Sequence, residues 1–217
     1  MTAWTVGRSG VRDLGARMAR WRVPVRWWLA AVSPLVFLGL GLAALARLGR
    51  PGRPLRTSGG SAGSRRLAWR ASCCCSWPPG WARRPAGGDI ALPQLQRRFS
   101  PLASSLILAV LWFGWHLPQF FLIASYRDFS PVQYVGMFLG LACGAIVLTW
   151  LYNRSGGSIL LVAVWHGLYN LVGGTQAATG MLAAVISILI MIQAAVLIVL
   201  EMRARAAGGP PCWDQHD

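Results

Sequence analysis

Three side chains in this sequence combine a reactive type with an unusual setting. His116 lies in Trp112-Phe113-Gly114-Trp115-His116-Leu117-Pro118, and His166 and Asn170 lie in His166-Gly167-Leu168-Tyr169-Asn170. Both stretches sit inside long apolar runs, where a polar side chain costs free energy and so marks a functional site by default. The four-residue spacing puts His166 and Asn170 on one face of a helix. Two imidazoles and an amide can ligate a metal, activate a water or hold an oxyanion. A hydrogen bond from the ring to a nearby backbone carbonyl accounts equally well for either histidine alone. Two at similar depth, one followed by Asn170, favour a site. His216, in a polar tail, is incidental, and Trp112, Trp115 and Trp165 read as packing residues.

The elements that must carry these groups are membrane spans. Of 217 residues 55% are hydrophobic and 12% charged, too apolar for an ordinary soluble domain. Apolar runs of a length to cross a bilayer occur at about 25–46, 101–124, 131–152, 157–174 and 179–201. The expected fold is all-α: a polytopic transmembrane helical bundle with a disordered basic insert. The organisation is a basic leader (1–24), a first transmembrane helix (25–46), an irregular Arg/Pro/Gly-rich segment (47–90), a core of about four spans (91–203) and a tail (204–217). Ala44-Leu45-Ala46 resembles a signal-peptide cleavage site, but the long basic leader and long apolar run favour an uncleaved helix.

All 21 basic residues are arginine, against six acids, and seventeen of the arginines precede residue 100. They flank spans or lie in the irregular segment, which argues for topology and anionic-lipid contact rather than nucleic acid. Arg97, Arg98, Arg154, Arg203 and Arg205 share one side, which is therefore cytoplasmic, and the N-terminal cluster belongs there too. The expected location is the cell membrane, multi-pass, with a cytoplasmic N-terminus. One crossing is then missing between 47 and 97, where no apolar run exists. Cys73, Cys74 and Cys75 are adjacent and lack metal-ligand spacing, and Cys143, in an apolar run, reads as packing.

The segments LPQLQRRFSPLASSLILAVLWFGWHLPQFFL and LTWLYNRSGGSILLVAVWHGLYNLVGG resemble the CPBP family of intramembrane metalloproteases, also called the type II CAAX prenyl endopeptidase or Abi family. Trp112 and His116 match its F-x-x-x-H motif with Trp for Phe, and His166 and Asn170 match H-x-x-x-N. The resemblance implies cleavage of peptide bonds in or near the bilayer, with a membrane-embedded or prenylated substrate. It implies catalytic roles for His116, His166 and Asn170, and a divalent metal, zinc, with His116 and His166 as its ligands. In the family a Glu and the first His activate water.

The family's E-E-x-x-x-R motif is absent. The chain's one glutamate is Glu201, and the nearest acid upstream of the first histidine is Asp89. Residues 47–90 read as a displaced reading frame. Taken from the third base of the preceding codon, the second and third of Cys73-Cys74-Cys75 must give Leu, and Trp81-Ala82 must give Gly. With permissible codons, Ser72 through Gly88 becomes LLLLVAAGLGEETGWRG, an apolar run ending in E-E-x-x-x-R. The alternative is a natural basic loop in a diverged relative. Two functions therefore stand: an endopeptidase impaired by loss of its carboxylates, or a non-catalytic membrane protein of the same fold with an immunity or scaffold role. A transporter segment would need a chain of intramembrane acids, which the sequence lacks.

Overall fold

A computed structural model describes residues 15–48, 91–122, 129–173, 181–208 and Trp213. Every regular element among them is a helix, as the all-α expectation requires. In chain order they are α1 (Val25–Ala31), α2 (Ser33–Arg47), α3 (Ala91–Gln96), α4 (Pro101–Leu122), α5 (Pro131–Arg154), α6 (Ile159–Gly173) and α7 (Met181–Ala206). Of the irregular segment expected at 47–90, Arg47 instead ends α2, and residues 49–90, like the incidental His216, lie outside the described residues.

Local chemistry sets the helix boundaries. Pro101 and Pro131 sit at first-turn positions, where a missing N–H costs nothing. Ser100 Oγ accepts from Ala103 N at 3.3 Å, and the Gln133 side chain accepts from Ser130 N at 2.7 Å, closing both N-termini. Between α5 and α6, Gly156 (φ 68°) and Gly157 (φ 79°) take the left-handed conformation that ends a helix. Gly157 N bonds back to Tyr152 O at 2.9 Å, and Ser158 Oγ accepts from Leu161 N at 3.4 Å to start α6.

The central helix is α5, which touches α1, α4, α6 and α7. Small residues let it approach α4: Ala109, Ala142 and Ala145 are buried together. On the other side Val147, Leu151, Leu161, Trp165, Leu182, Ile186 and Ile190 form the main core. The outward faces of α4 and α7 expose Val110, Leu117, Phe121, Ile188, Ile192 and Val196. An apolar exterior of this kind suits hydrocarbon rather than water.

By length and composition α4, α5 and α7 can each cross a bilayer. The first span, expected as one helix over 25–46, is instead two helices bent by 53° at Val32. Pro34 explains the break, because its ring cannot sit inside a continuous helix. The described length of α6 is 15 residues, shorter than the roughly 20 that a bilayer core requires.

The arginine-bearing segments gather at one end of the bundle. Arg17 Nη1 donates to Tyr152 Oη at 2.9 Å, Arg20 donates to Gly156 O, and Ser158 Oγ donates to Arg20 O at 2.8 Å. The buried Asn153 amide donates to Trp213 O at 2.6 Å, while Trp213 Nε1 donates to Leu197 O, so the C-terminal part of α7 also reaches this end. Leu92 of α3 packs here with Tyr152 and Ile159. By contrast, Gly41 of α2 abuts Leu182, at the start of α7 and the opposite end. The residues flanking 49–90 therefore lie at opposite ends of the bundle, as the missing crossing demands.

Candidate functional site

The candidate site lies where side chains of α4 and α6 meet. Leu108 and Val162 pack on one small cluster. One turn further, the Trp112 indole stacks on the His166 imidazole, with centroids 5.4 Å apart and planes 25° apart. This stack joins the stretch of α4 that carries His116 to the stretch of α6 that carries His166. Trp112 of α4 is thus the link between the two histidine-bearing helices, and Asn170 lies one helical turn beyond His166 on α6.

His116 Nδ1 lies 2.7 Å from Trp112 O. A carbonyl can only accept, so Nδ1 carries a proton, and in the neutral ring Nε2 is the nitrogen with the free lone pair. The bond that could have explained the histidine away instead fixes its tautomer and leaves its reactive nitrogen available. Pro118, two residues on, removes the N–H that would have closed the helix bond to Gly114. A Cβ at Gly114 or Gly167 would meet nothing within 4 Å. His116, His166 and Asn170 are all half-buried.

Aromatic packing supports the pair from behind. Trp165 is buried, stacks on Tyr169 with centroids 5.5 Å apart, and donates from Nε1 to Ser33 Oγ at 3.0 Å. Trp112 packs on the core through its body while its face supports His166. Trp115 departs from the expected packing role: it is 37% exposed and faces outward. The stacking role of Trp112 was hidden in the sequence, since only the F-x-x-x-H match hinted that an aromatic belongs there.

No group of three or more His, Cys, Asp or Glu side chains converges among the described residues. Glu201, the chain's one glutamate, is buried near the C-terminal end of α7 in an ion pair with Arg205 Nε at 2.6 Å. A catalytic zinc takes three protein ligands and keeps a fourth position open. The two imidazoles and one amide found here fall short of that set, so the described residues do not fit a catalytic metal by themselves.

An all-helical bundle with an apolar exterior, and with a histidine in each of two apolar helices, defines a polytopic membrane protein. Residues 89–172 match the family model for Type II CAAX prenyl endopeptidase Rce1-like. Over 85 residues the chain is 32% identical to CAAX prenyl protease 2 of Methanococcus maripaludis, a match covering 37% of this chain and 31% of that protein. Within this core, which holds His116, His166 and Asn170, the chain is similar to the CAAX prenyl endopeptidases. The matched stretch spans about a third of the curated relative's length.

Proposed function

We propose that this chain is an intramembrane endopeptidase of the CAAX type by descent, with its hydrolytic power impaired by loss of the carboxylate pair. The observation that carries this reading is the position of Trp112, whose ring stacks on His166 and whose carbonyl accepts from His116 Nδ1, so that one α4 residue touches both histidines. Nε2 of His116 accepts a proton from the attacking water. His166 and the Asn170 amide donate hydrogen bonds to the carbonyl oxygen as it gains charge. A membrane-embedded or prenylated peptide is the substrate class, in keeping with the name of the matched relative.

Without a glutamate, nothing anionic receives or balances the proton taken by His116. General-base chemistry of this kind contributes roughly 10²- to 10⁴-fold, and that is the expected deficit. A zinc ion would polarise the scissile carbonyl and the water, but it requires a ligand that the described residues do not supply. The second reading, a non-catalytic protein of the same fold, draws on one observation: Glu201 is committed to Arg205, away from the histidines.

The deciding experiment compares hydrolysis of a prenylated membrane peptide by this chain and by a version with the neighbouring frame restored across codons 47–90. Cleavage by the restored form that disappears with His116→Ala supports the endopeptidase. A restored form that is expressed and folded yet inert supports the non-catalytic reading.

A further inference from the structure

Away from the histidines, the arginine-rich end of the bundle contains an open cavity of about 550 Å³. Arg20, Arg22, Arg26 and Arg154 line it, its floor includes Val23, Pro24 and Trp27, and among the described residues no acidic side chain borders it. The wall is held in place: Ser158 Oγ fixes the Arg20 carbonyl, and the Arg20 side chain reaches the Gly156 carbonyl. Arg22 lies over the Trp21 ring at 5.2 Å and Arg26 over the Trp27 ring at 5.0 Å. Stacking occupies the faces of these guanidiniums and leaves their N–H edges, the groups that bind phosphate bidentately.

The surface beside the cavity is apolar. Val25 and Leu29 of α1, then Val36 and Leu40 of α2, are each more than half exposed. A cationic cup opening onto an apolar helix face matches a molecule with an anionic head and a hydrocarbon tail. We propose that this cavity is a binding site for one anionic phospholipid, its phosphate held by Arg20, Arg22 and Arg26 and its acyl chains lying along α1 and α2. Free phosphate satisfies the cup but leaves the apolar face bare, so the lipid is the better fit. The cavity lies where the leader meets the α5–α6 turn, since Arg20 bonds to Gly156 and both line it.

The test reconstitutes the full chain in phosphatidylcholine vesicles containing a minority of phosphatidylglycerol, extracts it with its surrounding lipid, and measures lipid per protein. The wild type retains phosphatidylglycerol above its bulk fraction. Arg22→Gln with Arg26→Gln lowers that enrichment by about fivefold per arginine. Both side chains are exposed and are seen only stacking on Trp rings, and helicity by circular dichroism checks that this variant folds. Arg98→Gln with Arg203→Gln removes the same charge from the same end outside the cavity and leaves the enrichment intact. Enrichment that survives in the cavity variant, or falls equally in the control pair, overturns the site. Complete displacement by excess inorganic phosphate overturns the lipid as its occupant.

Discussion

The Trp112 indole lies on the His166 imidazole with ring centroids 5.4 Å apart, joining α4 to α6 at the candidate site. The same residue accepts from His116 Nδ1 through its carbonyl. Trp112 thus contacts both histidines, one through its side chain and one through its backbone. Trp112→Ala removes the stack while keeping the carbonyl. A loss of about 0.5–1.5 kcal/mol is expected from the stack alone, with more from the lost packing. Trp112→Phe, the residue type in the family motif, keeps most of it. Thermal unfolding in detergent measures the difference. In the frame-restored protein, His166 freed from its stack lowers kcat more than it changes KM.

The second prediction concerns the nucleic acid that encodes the chain. The neighbouring frame across codons 47–90 is expected to encode an apolar run ending in E-E-x-x-x-R. Reading the nucleotide sequence decides it, and a frame without that motif removes the explanation for the missing glutamates. The described residues on either side, Leu48 and Ala91, lie at opposite ends of the bundle, so a spanning helix there fits the observed geometry.

Metal binding separates the two forms without reference to activity. The chain as it stands is expected to lose zinc on dialysis, because two imidazoles and an amide make an incomplete site. The restored form, with carboxylates added, is expected to retain about one zinc per chain. Elemental analysis of the purified proteins checks this. Retention that persists in a His116→Ala, His166→Ala double variant places the metal elsewhere.

The C-terminal tail gives a stability prediction. Asn153 is 2% exposed and donates to Trp213 O at 2.6 Å. Asn153→Ala leaves that carbonyl buried without its donor, costing about 1–3 kcal/mol. Limited proteolysis near residue 213 should accelerate. Tail cleavage unchanged from wild type would show that the indole, 1% exposed and bonded to Leu197, holds the tail unaided.

Close contact between α2 and α7 supplies another. A Cβ added at Gly41 would sit 2.5 Å from Leu182 Cδ1, the far end of a flexible side chain. Gly41→Ala is therefore expected to be tolerated through a rotamer shift of Leu182. Gly41→Val adds branches that cannot be accommodated and costs about 1–3 kcal/mol. Melting of the two variants in detergent compares them. The exposed Gly39, with no neighbour within 4 Å, accepts Ala freely.

The sequence by itself determined that this protein is built of membrane helices, because backbone in hydrocarbon must satisfy its own hydrogen bonds and long apolar runs then have little choice. It also singled out the candidate site residues. His116, His166 and Asn170 are polar groups in apolar surroundings, and the four-residue spacing of the last two follows from helix geometry alone. The gathering of Arg17, Arg20, Arg154 and Arg205 at one end was likewise legible from loop charge. Tertiary structure alone decided what faces what. The register that lays Trp112 on His166 depends on how α4 and α6 pack, and side chains far apart in sequence carry no local signal of it. The 53° bend between α1 and α2 was hinted at by Pro34, but its angle is set by packing of α1 against α5 and α6 and of α2 against α6 and α7. The arginine cup exists because the leader folds back onto the α5–α6 turn, a contact between residues more than a hundred positions apart.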